Sequence, residues 1–180
     1  MVTFSSKREY HFWLYALLVT FAIFATIPFA GILMDWIGEH SIIGVGLFLL
    51  GCLMVLATIL SQGFRFRPGG LEIAVGIGIS AAYLLVFVRM AIPTERSHLI
   101  EYSILAIFIY EALLERRHNG RKMPMLELAA IFLTMLIGLM DECAQQWVPD
   151  RVFDPLDMVF NTIAAVLAIG GSWIIRKIKD

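Results

Sequence analysis

Charge is scarce in this sequence, and that scarcity excludes an ordinary soluble domain. Only 16% of the 180 residues are Asp, Glu, Lys or Arg, and 59% are hydrophobic; mean hydropathy is +0.81. Soluble domains carry about 25% charged residues. Cysteine is also rare. Cys52 lies midway along one apolar run and Cys143 at the end of another, so no disulfide framework is available and both are expected to be free thiols. Catalytic signatures are missing as well. Cys143 sits among Glu142, Ala144 and Gln145 with no adjacent cation to activate it. The glycine pairs in "GVG" (44–46) and "GIG" (76–78) lie inside apolar runs and read as helix packing, not as a phosphate cradle. There is no HExxH metal motif, no internal repeat and no low-complexity tract. The first apolar run is too long for a secretory signal core of about 7–15 residues and lacks a cleavage site, so it reads as retained.

What is abundant is apolar sequence in lengths that cross a bilayer. A spanning helix needs about 20 residues, and six segments qualify or nearly so: 11–33, 41–61, 71–91, 98–115, 124–141 and 156–175. The expected fold is an all-α, polytopic transmembrane helix bundle of six spans, with only short connections and no soluble domain. Pro28 is expected to kink the first span. Lys and Arg orient the bundle. Lys7, Arg8, Arg65, Arg67, Arg116, Arg117, Arg121, Lys122, Arg176, Lys177 and Lys179 fall on one side, and Arg89, Arg96 and Arg151 on the other. Six spans with that asymmetry predict both termini in the cytoplasm.

The outer side is then where the acids gather, with nine of the fifteen. The first outer connection, "MDWIGEH", offers Asp35, Glu39 and His40 beside Trp36 and reads as an interfacial turn. The second, "IPTERSHLIEYSIL", places Glu95, His98, Glu101, Tyr102 and Leu105 within about 120° of one helix face. Glu101 lies about a turn inside the span, where an ionisable group is costly and faces protein or water. The third, "MDECAQQWVPDRVFDPLDMVFN", puts Asp141 with Gln145 and Glu142 with Gln146 on shared faces, and aligns Asp154, Asp157 and Asn161 on the last helix. Lipid cannot satisfy such stripes, so three helix ends are expected to bury them against one another.

Structural readings stand beside the functional ones. Asp154 before Pro155 fits an N-cap followed by N1, with Asp157 at N3. Asn161 is too deep to cap and can bond a neighbouring helix. His98 can be a solvated first-turn residue. Asp150 beside Pro149 fits a turn, and Arg151 can neutralise the surrounding acids. On the inner side, Glu111, Glu115 and Glu127 lie near Arg116, Arg117, Arg121 and Lys122, which suits interfacial pairing and snorkelling. Ala164, Ala165, Ala168, Gly171 and Ser172 form a small-residue stripe for close packing.

Asp141-Glu142-x-x-Gln145, then Pro149-x-Arg151, Asp154, Asp157 and Asn161, with His98-x-x-x-Tyr102 upstream, resembles the VanZ-like family of integral membrane proteins. The family usually has a lysine three residues before that histidine, where this chain has Glu95, and Glu101 adds a further acid. Glycines that often follow the asparagine are matched by Ala164 and Ala168. The resemblance covers about 71–175, a four-helix unit. It leaves residues 1–70, with the first two spans, as a segment outside it. It implies a bacterial cytoplasmic membrane protein of the cell envelope, in a family whose namesake is linked to lipoglycopeptide resistance. It does not supply a reaction.

Three functions compete. In the first, an outward-facing site binds or processes a cell-envelope or lipid-linked molecule. Glu101, Glu142, Asp157 and His98 are then the acid–base candidates, and Arg151, Gln145, Asp141, Asn161 and Tyr102 hold the ligand. In the second, the chain is a non-enzymatic subunit that stabilises a larger membrane complex, and the polar cluster is internal bonding. The third is a metal site of Glu95, His98 and Glu101 with acids of the last connection. The only other outer histidine, His40, is on a different connection, so no tightly held metal and no cofactor is expected. The expected partners are membrane lipid or a lipid-linked molecule and, in the second reading, other membrane subunits, with no nucleic acid.

Overall fold

The computed structural model describes residues 4–29, 46, 49–50, 53, 57, 70–89, 93–148 and 152–179. The described chain is all-α. Its long helices are α1 (Lys7–Thr26), α2 (Gly70–Arg89), α3 (Pro93–His118), α4 (Leu126–Gln145) and α5 (Pro155–Lys179), and a 3-10 turn at Ile27–Phe29 follows α1. The second apolar segment, 41–61, and the Asp35, Glu39 and His40 turn lie outside the described residues apart from isolated positions, as does Cys52. Among the described residues, two helices are long and apolar enough to cross a membrane: Lys7–Phe29 and Pro155–Ile178.

Local sequence sets the helix ends. Ser6 caps α1, its hydroxyl accepting from the Glu9 amide at 3.0 Å, while the Glu9 carboxylate reaches back to Ser5. This is a variant of the reciprocal capping box. The α1 helix tightens into the 3-10 turn at Pro28, whose ring denies the helix an amide. The α3 helix ends in a Schellman motif. Gly120 has φ +86°, the Gly120 amide donates to Arg117 O at 3.1 Å, and Arg121 donates to Arg116 O at 3.3 Å. Glycine suits this left-handed position because it has no Cβ to clash. Asp154 caps α5, accepting from the Leu156 amide at 2.8 Å, with Pro155 as the first helical residue.

The hub is α3. Tyr102, Leu105, Ala106, Ile107, Ile109, Tyr110 and Ala112 are all buried, and the helix packs most extensively on α5 and α1 and also against α4. Ala164, Ala165 and Ala168 are fully buried on α5, so the small-residue stripe does bring backbones close. Gly171 belongs to it: a Cβ there would meet Ile79 of α2 at 3.0 Å. Tyr83 of α2 shares a 2.8 Å hydrogen bond with Ser103 of α3.

Among the described residues, charged side chains gather at the two ends of this bundle. At one end, α1, α3 and α5 are tied by Ser6 to Glu115 at 2.9 Å, Arg116 to Glu9 at 3.5 Å and Arg176 to Glu111. Arg117 lies 4.0 Å from Glu127 of α4. Glu111, Glu115 and Glu127 thus take polar or cationic partners on other helices or chain segments, the pairing their structural reading expects. The other end holds the start of α3, the end of α4 and the start of α5.

Candidate functional site

Three helix termini converge at that second end, and each contributes buried polar side chains. From α3 come His98, 6% exposed, and Tyr102, fully buried. Their rings stack with centroids 5.7 Å apart. The α4 helix gives Asp141, Glu142 and Gln145, and α5 gives Asp157 and Asn161; all five are buried. The α4 helix runs a full turn beyond the apolar segment read from sequence, and that extra turn carries Glu142 and Gln145.

The side chains interlock across the helices. Tyr102 donates to Asp141 Oδ2 at 2.9 Å. His98 Nδ1 lies 3.1 Å from Asn161 Oδ1, within hydrogen-bond reach. The same nitrogen is 4.0 Å from Asp141 Oδ2, and Nε2 is 4.0 Å from Asp157 Oδ2. Glu142 accepts from Gln145 Nε2 at 3.2 Å and from the Asp154 amide at 3.1 Å. It therefore pins the entry to α5 against the end of α4. Glu101 is partly buried, and its carboxylate lies within electrostatic reach of His98 and Asp141.

Every described residue of the sequence-read site thus lies in or beside this cluster. Arg151 lies outside the described residues, as does the side chain of Glu95. Gln146, which shares a helix face with Glu142, is exposed because α4 ends at Gln145. Cys143 is a free, exposed thiol, apart from the buried Asp141 and Glu142 that precede it. Asp154 caps a helix while its amide joins the cluster, so the capping and site readings of that residue coexist.

One contributor has no polar atom. Gly138 of α4 faces Asn161 and Tyr102, and a Cβ there would lie 3.0 Å from Asn161 Nδ2 and 3.3 Å from Tyr102 Cε1. The missing side chain lets the asparagine amide sit against α4. Its signal in the sequence is position, since Gly138 is three and four residues before Asp141 and Glu142 and so on their face.

Chemically, the arrangement offers a buried imidazole between two carboxylates, a tyrosine hydroxyl on one of them and a third carboxylate. One ligating atom from each of His98, Asp141 and Glu142 falls within 4.8 Å of the others. Such a set can exchange protons, orient an anionic or hydroxyl-bearing group, or hold a cation.

No curated protein and no solved structure matches the chain. A family model described as VanZ/LLP1 matches residues 2–176, so the match includes the first two apolar segments as well as the 71–175 region that carries the motif. By that match, across nearly its whole length, the chain belongs to the VanZ/LLP1 family.

Proposed function

We propose that the end of the bundle formed by α3, α4 and α5 is an outward-facing site that binds or processes a cell-envelope or lipid-linked molecule. The observation that carries this reading is the burial of His98, Asp141, Glu142, Asp157 and Asn161 together, from three separate helices. Buried carboxylates are expensive near lipid, and a fold that only needed packing could put apolar residues there. In this reading the chain crosses the cytoplasmic membrane six times, with the Lys- and Arg-rich ends inside. Arg151 grips a phosphate or carboxylate of the ligand with its planar fork. Gln145, Asp141, Asn161 and Tyr102 orient the ligand. Glu101, Glu142 and Asp157 serve as hydrogen-bond partners or as acid and base, and His98 relays a proton.

The test is binding of a polyprenyl diphosphate lipid to full-length protein in detergent, with Arg151→Ala and Arg151→Lys beside the unaltered chain. Loss of binding in both variants supports a bidentate grip. Full binding by Arg151→Lys reduces Arg151 to a neutralising charge, and no binding by the unaltered protein rejects this ligand class.

A second reading has one specific support. Glu142 already bonds Gln145 and the Asp154 amide, as a purely internal network would. The chain would then be a non-enzymatic bundle subunit of a larger membrane complex, and a partner chain would co-purify in place of a lipid.

A further inference from the structure

The sequence argues against a metal because the outer connections place only one histidine among the acids. The metal reading joins Glu95, His98 and Glu101 to acids of the last connection. The structure brings His98 of α3 together with two of those acids, Asp141 and Glu142 of α4. The three ligating atoms lie within 4.8 Å of one another, and all three residues are buried.

We propose that His98, Asp141 and Glu142 form a binding site for one divalent cation of the Mn2+ or Zn2+ type. An imidazole with two carboxylates is a mixed nitrogen–oxygen set suited to such ions. The spacing fits: ligand atoms bonded to one ion at about 2.0–2.2 Å stand no more than about 4.4 Å apart, and these three lie within 4.8 Å of one another. The surroundings also match those of metal ligands, which are held by outer hydrogen bonds. Asn161 fixes the imidazole at 3.1 Å, Tyr102 bonds Asp141 at 2.9 Å, and Gln145 and the Asp154 amide hold the two oxygens of Glu142 at 3.2 and 3.1 Å. The ion would cross-link α3 to α4 where α5 enters. It draws on three residues of the proposed site but does not need a lipid-linked anion to be bound.

The test is titration of EDTA-stripped, full-length protein in detergent with Mn2+ alone, read by electron paramagnetic resonance and by the thermal unfolding midpoint. Saturation at one ion per chain with a raised midpoint is expected, since a ligand that binds only the folded state stabilises it. The near-isosteric Asp141→Asn and Glu142→Gln, which keep the shape and helicity of the site, should weaken binding at least 10-fold. Asn161→Ala should weaken it about 10–100-fold by releasing the imidazole. Glu127→Gln, at the opposite end, should change nothing. Absence of saturable uptake overturns the proposal, as does uptake that the Asp141 and Glu142 variants leave intact. Lipid binding that persists in EDTA would leave the proposed function standing whichever way the ion behaves.

Discussion

Asn161 and Gly138 are the pair on which the geometry turns at the scale of single residues. The amide sits against the bare α-carbon and holds the imidazole of His98. Gly138→Ala adds a methyl where a Cβ has neighbours at 3.0 and 3.3 Å, so the amide or the tyrosine must shift. Overpacking of this kind costs about 1–3 kcal/mol. The expected outcome is a lower unfolding midpoint together with loss of the site's activity or ligand, measured on the purified variant. A midpoint and ligand binding both unchanged would mean that the amide is not held there. The convergence of the acids, the histidine and the asparagine was legible in sequence, because ionisable and amide groups stand out in an apolar chain and helical periodicity assigns them to faces. Gly138 was not. A glycine in a membrane-like helix reads as general packing, and only the facing helix shows which contact requires it.

Among the helices, the ends carry most of the information and the middles are nearly uniform. Asp154 caps α5 and presents its amide to Glu142, so one residue sets both the start of the helix and the seam with α4. Asp154→Ala should cost about 1 kcal/mol, the usual value of a lost N-cap, seen as a lower unfolding midpoint. Asp154→Asn should recover most of it, since asparagine caps well. At the opposite end, Arg176 of α5 pairs with Glu111 of α3. Arg176→Ala leaves a buried carboxylate without that cation and should cost about 1–3 kcal/mol. Glu111→Gln in the same background should return part of the loss, and a double-mutant cycle measures the coupling. Helix existence and approximate limits were legible from apolar runs, as for the spans read at 71–91 and 156–175 against helices at Gly70–Arg89 and Pro155–Lys179. The extra turn of α4 lies past the apolar run, and only its helical periodicity, Asp141 with Gln145 on one face, made it legible. The start of α1 was not legible: it lies at Lys7, four residues before the apolar run, because Ser6 caps it and Glu9 is buried against Arg116.

For the whole molecule, the charged groups among the described residues segregate to two ends of an apolar bundle, and the ends differ in kind. One is a set of ion pairs among Glu9, Glu111, Arg116 and Arg176, and the other is acid-rich with a buried histidine. That polarity fits the proposed membrane crossing with a site at one face. The proposed topology places Asn119 inside and Asp150 outside, so cysteine labelling of intact cells should report opposite sides for the two positions; labelling on one side alone would break the six-span arrangement. The alternation of charge is legible in the sequence itself, whereas neither spacing nor charge distinguishes a phosphate from a carboxylate as the ligand of the proposed site. The central claim, that the acid-rich end is a site for an envelope molecule, meets its most direct test in what the protein carries. Native mass spectrometry of the full-length chain released from its own membrane should show a lipid-linked, anionic species bound. The same species should be missing from Arg151→Ala and from Glu142→Gln. A chain that leaves the membrane with no lipid-linked species, or with only a second protein subunit, would contradict the claim.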